Sequence, residues 1–488
     1  MRNKFVALTF VVSALASTGF AQNTDIEALA GIQFNFANPG ARSLAMGGAF
    51  LGLADDASAA EANPAGLTIL RKPEISLELR NFQNFQGLNT GGTFPDLTAT
   101  DFSAFSRRVE PVFGSFVYPI KNFAVAGYYH QTLNYRNGGS VLPSYNGTIK
   151  TAEVPNFFLP TGTPPGSALP VSEAECQRIV QQTGNIFSCL QYAAFPFVTA
   201  VSVNMKTWGV AGAWNLGKVS IGLGARYQTF TEGAFTTRYT DNGRGSLSPN
   251  SIVVQASGLD ENRDPETQTD TTFTAGFKWN VLDNLSVGGV FKEGAKFAAP
   301  VFVLSTTNPD FSQASNPTFH IPDIAGVGIS YKPGKIGSLD LNQALTLSAD
   351  GVFVKYSNLT DEFSSTGAGT VFLQNAYKSE DAVEIHVGGE YFFSTRIPIA
   401  IRAGWWKDPA HSIRYEGPLT CDDANYNAAD RVNCAANRVT SAILFPGSKD
   451  QDHLSVGIGL AWPRFQIDAA YETSEKFKVG SLSMVTRF

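Results

Sequence analysis

The residues best suited to chemistry are five histidines, four cysteines and a few carboxylates close to a histidine. His130, His320, His386, His411 and His453 are scattered, and His386 sits near two acids on its own strand face, Glu384 and Glu390. That trio has the residue types of general acid–base work, but a buried polar network accounts for it without catalysis. Neither a Gly-x-Ser-x-Gly elbow nor a His-Glu-x-x-His helix occurs, so a nucleophile or a catalytic zinc has no scaffold. The stretch from Gly328 to Lys335 has the wrong spacing for a phosphate cradle, and Ile336 stands where a Ser or Thr would be needed. The cysteines form two sequence pairs, Cys176/Cys189 and Cys421/Cys434, each 13 residues apart. No histidine lies inside either pair, so zinc is the weaker reading and disulfides are expected. Three connectivities are open, and pairing within each loop is the simplest. One straight helix cannot join Cys176 to Cys189, because 13 helical residues rise about 20 Å. No enzyme, cofactor or metal is expected.

The elements that must carry these residues are set first by export. Residues 1–21 read as a signal peptide: Arg2 and Lys4, an apolar stretch from Phe5 to about Leu15, then small residues at Gly19 and Ala21. Polar Gln22-Asn23-Thr24-Asp25 follows, not the flank of an anchoring helix. Charged residues make up only 16% of the 488, aromatics 12%, and glycine and phenylalanine number 46 and 37. A mean hydropathy of −0.05 argues against a helical membrane bundle, while 43% hydrophobic residues exclude disorder. A net charge of −6 with no basic block excludes nucleic acid as a partner.

From residue 73 onward, apolar residues alternate with small or polar ones. Val219, Ile221, Leu223, Ala225 and Tyr227 face one way, and Ser220, Gly222, Gly224, Arg226 and Gln228 the other. Fourteen such segments are expected: 73–86, 109–120, 122–136, 203–216, 218–239, 269–281, 284–304, 321–332, 342–358, 380–393, 397–408, 451–463, 464–474 and 478–488. Short and long connections alternate, except that the last, around Ser474 to Phe477, is short where a long one is due. A soluble sandwich would not need that asymmetry. An even number of antiparallel strands, long loops on one side and a signal peptide predict an all-β membrane protein, an outer-membrane β-barrel. Trp214, Trp279, Trp405, Trp462, Tyr331 and Tyr391 near strand ends match its aromatic girdles.

Residues 22–72 precede the barrel (73–488) and are rich in Ala and Gly. They contain Gly47-Gly48-Ala49-Phe50, then Ala54-Asp55-Asp56-Ala57-Ser58, then Asn63-Pro64-Ala65-Gly66-Leu67. In order and spacing these elements resemble the N-terminal hatch, or plug, of the FadL/TodX/OmpP1 family of outer-membrane transporters for hydrophobic compounds. The fourteen strands agree with that family's barrel. The PorV-like proteins of type IX secretion share the barrel and related hatch wording. Phe488 resembles the terminal aromatic read by the barrel-assembly machinery during biogenesis.

Small hatch residues can sit against a barrel wall, and Asn63 before Pro64 suits a turn. Asp55 and Asp56 are expected to anchor the hatch to inward cations, with Arg80, Arg226, Lys278, Lys292 and Arg402 as candidates. Glu78, Asp350, Glu384, Glu390, Asp468 and Glu472 share that lumen, which is mixed in sign, unlike an ion-selective pore. Inward glycines such as Gly222, Gly388 and Gly457 leave room for the hatch. Apolar loop segments include Phe157 and Phe158, and the run from Phe297 carries Phe302; exposed apolar patches mark interaction sites. The resemblance implies loop capture of hydrophobic molecules, fatty-acid-like or aromatic, and a pocket closed from below by Ile32, Phe34 and Phe36. It implies passive uptake by a monomer bathed in outer-membrane lipid, with exit sideways through the wall. The alternative is a PorV-like barrel that binds secreted proteins through its long loops.

Overall fold

The computed structural model describes residues 37–93, 96–104, 109–137, 148–149, 192–193, 197–241, 247–262, 264–305, 308–315, 318–336, 339–341, 344–361, 377–415 and 449–488. Its wall runs β1 (Glu74–Thr93), β2 (Val109–Ile120), β3 (Phe123–Asn137), β4 (Phe197–Asn215), β5 (Val219–Asp241), β6 (Gln268–Leu282) and β7 (Leu285–Lys292). It continues through β8 (Ile324–Tyr331), β9 (Leu345–Val354), β10 (Ala382–Phe393), β11 (Ile399–Asp408), β12 (Gln451–Ala461), β13 (Phe465–Thr473) and β14 (Phe477–Arg487). Each strand pairs antiparallel with the next. β14 pairs back onto β1 from Glu74↔Arg487 to Asn84↔Phe477, so the sheet closes. The seam is also tied by Arg487 Nε to Glu74 Oε1 at 2.8 Å and by the Phe488 N–H to the Pro73 carbonyl.

The alternation sorts the faces as the sequence predicts. Ile221, Leu223 and Tyr227 of β5 are 45%, 66% and 47% exposed, whereas Ser220, Arg226 and Gln228 are buried inward. Val383, Ile385 and Val387 point out of β10, and Glu384, His386 and Glu390 point in. An apolar exterior on a closed ring is the form that lets a sheet cross lipid. Trp214, Trp279 and Tyr331 are exposed at the short-turn ends, and Trp208 and Tyr227 lie toward the other rim. The Ser474–Phe477 turn is short, closed by Ser474 N–H to the Phe477 carbonyl.

Two expectations need correction. The segment over 284–304 is not one strand: β7 stops at Lys292. A side chain at Gly294 would collide with the Ile321 carbonyl, and the Ile321 N–H bonds to Ala295 at 2.8 Å. The chain therefore turns inward, and Lys296–Ala298 pairs with Thr318–His320 as a separate ribbon. The long connections are also not all loop. Asp96–Ala104 pairs with the far end of β1, and Leu247–Ala256 joins the far end of β5 to Val301–Ser305, with Asn308–Ser315 beyond it. These segments lack sustained apolar–polar alternation, so their strands left no period to read.

Residues 37–72 lie inside the ring. They form α1 (Ala41–Ala45), α2 (Ala59–Ala62) and a 3-10 turn (Pro64–Ile69) that begins on Pro64 after the Asn63 cap. Nearly every side chain from Ala41 to Leu67 is buried. Leu223→Arg places a charge in the lipid-facing band and should destabilise the barrel by about 2–4 kcal/mol in bilayer unfolding titrations. Thr231→Arg, on the same outward face of β5 but beyond the apolar residues, should cost far less.

Candidate functional site

The site is the lumen and the segment that fills it. Arg42, on α1, is its centre. Its Nε and Nη2 grip both oxygens of Glu390 at 2.9 and 2.8 Å, and its Nη1 meets Asp55 Oδ1 at 2.5 Å. Glu390 also accepts from Arg402 Nε at 2.6 Å, and Arg402 Nη1 continues to Asp468 Oδ1 at 2.7 Å. The result is a buried relay of alternating charge, Asp55–Arg42–Glu390–Arg402–Asp468, joining the lumenal segment to β10, β11 and β13. Fork geometry makes arginine the suitable residue at both cationic positions.

This corrects the expected anchoring. Asp55 and Asp56 pair with Arg42 of their own segment, not with wall cations, because Arg42 alone reaches both them and Glu390. The wall cations hold other groups. Lys292 meets Glu61 of α2 at 3.1 Å, Lys278 donates to the Leu53 carbonyl, and Arg80 pairs with Glu78 and with the Asn38 carbonyl. Arg226 donates to the Glu293 carbonyl at 3.3 Å. Burial by itself would ease the Arg42 proton off, but the Asp55 and Glu390 charges hold that group well above its ordinary range. Burial likewise raises the Asp55 carboxyl, and Arg42 overturns this and holds it below its ordinary value. Asp56, 3.6 Å from the same guanidinium, stays raised because burial prevails and the Asp55 charge adds to it.

The motif residues of the lumenal segment act mainly through backbone. Gly47 and Gly48 have φ of 63° and 78°, which favours glycine. The Gly47 carbonyl meets His386 Nδ1 at 2.7 Å, and Asp350 Oδ2 accepts from the Phe50 and Leu51 N–H groups at 2.6 and 2.8 Å. Asn63 Nδ2 donates to the Leu51 and Phe277 carbonyls, and its Oδ1 takes the Ala65 N–H, which fixes the turn into Pro64. Gly66 packs against Ala54. Across the wall, side chains at Gly388 and Gly404 would run into the Met46–Gly47 backbone, and one at Gly222 into Pro64–Ala65. The approach is close enough to require glycine there.

The lumen has two sides. On β9 to β14 it is polar, with Asp350, Glu384, Arg402, Ser455, Asp468 and Ser483 buried inward. On β2 to β4 it is apolar: Val112, Phe113, Val117, Ala126, Tyr128 and Ala211 form one cluster with Leu53, Ala54 and Leu67 of the lumenal segment. Strands β2 to β4 thus carry apolar residues on both faces. Outside, they and β5 bound two lipid-facing hollows of about 690 and 610 Å³. Gly127 leaves both hollows open, with Gly212 beside it in the larger, and Phe116 and Val210 wall both.

Sequence reasoning missed several residues. Three of the scattered histidines join one network, in which His411 stacks on Tyr356 at 3.8 Å and Tyr356 Oη donates to Glu384 at 2.9 Å. Glu384 meets His386 at 3.3 Å, and Trp406 stacks between His386 and His453. Arg42 was visible only as an arginine among small residues. Ile32, Phe34, Phe36, Phe157, Phe158 and all four cysteines lie outside the described residues. Phe302 sits on Val301–Ser305, its backbone paired opposite Val254. Among the described residues no cluster of His, Cys, Asp or Glu could hold a metal.

No protein-family model and no curated protein matches the chain. Solved structures match it in fold. A FadL homologue from Pseudomonas aeruginosa is 14% identical over 94% of this chain and 100% of its own, with a TM-score of 0.55. The chain has that fold. It is also similar to the toluene transporter TodX of P. putida, at 10% identity, 93% and 99% coverage and a TM-score of 0.54. The Ralstonia pickettii toluene transporter TbuX follows at 13%, 93% and 99%, and 0.53.

Arg42→Ala leaves Asp55 buried without its cation and Glu390 with Arg402 alone, a loss of about 3–5 kcal/mol for a broken buried pair. Backbone amides from Gly40 to Leu67 should then exchange faster with solvent deuterium, while the strand amides of β12 to β14 keep their protection. In the wild type this protection should hold from pH 8 to about pH 5. A carboxyl whose folded value is depressed, such as Asp55, loses its contribution only as pH falls below the ordinary carboxylate range.

Proposed function

We propose that this protein is an exported, bacterial outer-membrane channel for passive uptake of hydrophobic molecules. The observation that carries the reading is the two-sided lumen: its one apolar side, on β2 to β4, is backed by an apolar hollow in the lipid-facing wall. An aqueous pore would need an open interior, whereas Met46, Phe50 and Leu51 fill this one and are buried. A hydrophobic solute has a different route. It can follow Val112, Phe113 and Tyr128, slip past small residues and leave into lipid where Gly127 thins the wall. The fold shared with two proteins described as toluene transporters supports this solute class.

In this reading residues 1–21 are the removed signal peptide and residues 22–72 are the hatch. Ile32, Phe34 and Phe36 close a pocket from below, and Phe157, Phe158 and Phe302 belong to the capture surface. The cysteines form Cys176–Cys189 and Cys421–Cys434 disulfides in the long loops. The barrel works as a monomer, is inserted by the barrel-assembly machinery, and needs no cofactor and performs no catalysis.

The test is uptake of radiolabelled toluene and oleate by cells with and without the gene. Loss of uptake of either on deletion, restored by the wild-type gene, is the expected result. No change for either compound, with secreted proteins copurifying on the barrel, would replace this reading by a PorV-like one. Gly127→Trp should fill the hollow and slow uptake about tenfold without unfolding the barrel, since a lipid-facing tryptophan is well tolerated.

A further inference from the structure

Glu232 lies on β5 beyond the strand's apolar outward residues. Outward positions change there from Leu223, Ala225 and Tyr227 to Thr229 and Thr231, and about 9–11 tilted residues suffice to cross a bilayer. Its side chain points inward opposite Val203 and is fully buried. It shares that face with Phe230, which stacks on Phe297 at 4.8 Å and 11° and lies 5.1 Å from Phe319. Val203, Met205 and Ala234, all buried, continue the apolar packing around it.

Among the described residues, neither carboxyl oxygen of Glu232 has a hydrogen-bond partner. The adjacent Ser257 does not supply one. Its Oγ accepts from the Glu232 N–H at 3.2 Å, and its own N–H donates to the Glu232 carbonyl at 3.1 Å. Other buried glutamates behave differently: Glu61 has Lys292, Glu78 has Arg80, and Glu390 has Arg42 and Arg402. An acid kept for structure is paired in this lumen, and Glu232 is not. Without a cation or donor beside it, a buried carboxyl is held as the neutral acid. It then presents one O–H donor and one carbonyl acceptor among aromatic rings, with both unused.

We propose that Glu232 is a specificity determinant in the upper barrel, selecting ring-bearing apolar molecules that carry one hydroxyl, such as phenols, over the matching hydrocarbons. A phenol hydroxyl both donates and accepts, so it satisfies the two open positions at once while its ring joins the Phe230, Phe297 and Phe319 surface. A hydrocarbon of the same shape buries its ring equally well but leaves the acid unsatisfied, as now. An anionic head would lose its hydration in an apolar site with no cation to replace it. The inference rests on the hydrophobic-uptake reading and names a substrate class within it.

The test measures binding of p-cresol and toluene, which differ by one hydroxyl, to the full-length mature protein in detergent by titration calorimetry. The wild type should prefer p-cresol by about tenfold or more, as sites built around a buried hydroxyl partner do. Glu232→Leu should bring that ratio close to one by weakening p-cresol while toluene binds at least as well. Glu232→Gln, whose amide keeps a donor and an acceptor, should stay within about threefold of the wild-type ratio. If the leucine variant lacks the heat-dependent gel shift of a folded barrel, Glu232→Ala, which opens space instead of filling it, is read the same way. Toluene and p-cresol binding equally to the wild type, or a ratio unchanged in Glu232→Leu, overturns this proposal and leaves the uptake reading standing. Binding of neither compound also overturns this proposal, and loss of oleate uptake on deletion then still separates it from a failure of the uptake reading.

Discussion

In hydrocarbon no water is present to bond an unpaired N–H or C=O group, and this constraint shapes the molecule. A sheet can meet it only by returning to its first strand, as β14 does onto β1 through eleven residues of register. Closure has a geometric consequence. A ring of eight strands can be filled by its own side chains, but a wider one cannot. The lumen must then hold water or more chain. Here it holds residues 37–72, and the small inward residues of the wall follow from that. Gly222, Gly388 and Gly404 stand where the inserted backbone comes too close for a Cβ atom.

How that inserted chain is held differs from one side of the ring to the other. On β9 to β14 the contacts are directional: the Arg42 relay, the Asp350 carboxylate on two backbone N–H groups, and His386 on the Gly47 carbonyl. Such contacts persist or break as units, because each buried charge left alone is costly. On β2 to β4 the contacts are chiefly dispersion between Phe113, Tyr128, Ala211 and the segment's Leu53 and Leu67, with Ser115 to the Ala57 carbonyl a polar exception. Dispersion is weak per atom pair and has no fixed direction. The same segment is therefore held by directional contacts on one side and chiefly by apolar packing on the other, and the apolar side is the one next to the lipid-facing hollow.

Much of this architecture is legible in the chain. The period of two appears because lipid tolerates only apolar side chains on one face while the lumen accepts Ser, Gly and charges on the other, as at Leu223 against Arg226. The motif of the lumenal segment is legible because Gly47, Gly48 and Asn63 serve backbone conformations that few residues can adopt. Strands outside the lipid were not legible: Asp96–Ala104 and Asn308–Ser315 lack that alternation. The apolar lumen side was hidden for a related reason. On β2 to β4 glycine and alanine stand on both faces, so hydropathy cannot separate Gly127, facing lipid, from Ala126, facing the core.

The sequence by itself determined the closed barrel, the number of its strands, the facing of nearly every residue within the lipid band and the segment that enters the lumen. These depend on local period and on a single external medium, and both are written along one strand at a time. Partner choice inside was decided only by the tertiary structure. Asp55 meets Arg42 instead of a wall lysine, His411 reaches His386 through Tyr356 and Glu384, and the Glu232 carboxyl finds no partner among the described residues beside three phenylalanines. Those outcomes depend on the stagger between strands far apart in the chain and on where the inserted segment turns. Composition cannot encode them, because the lumen brings every strand to one interior and only geometry says which charges come within reach.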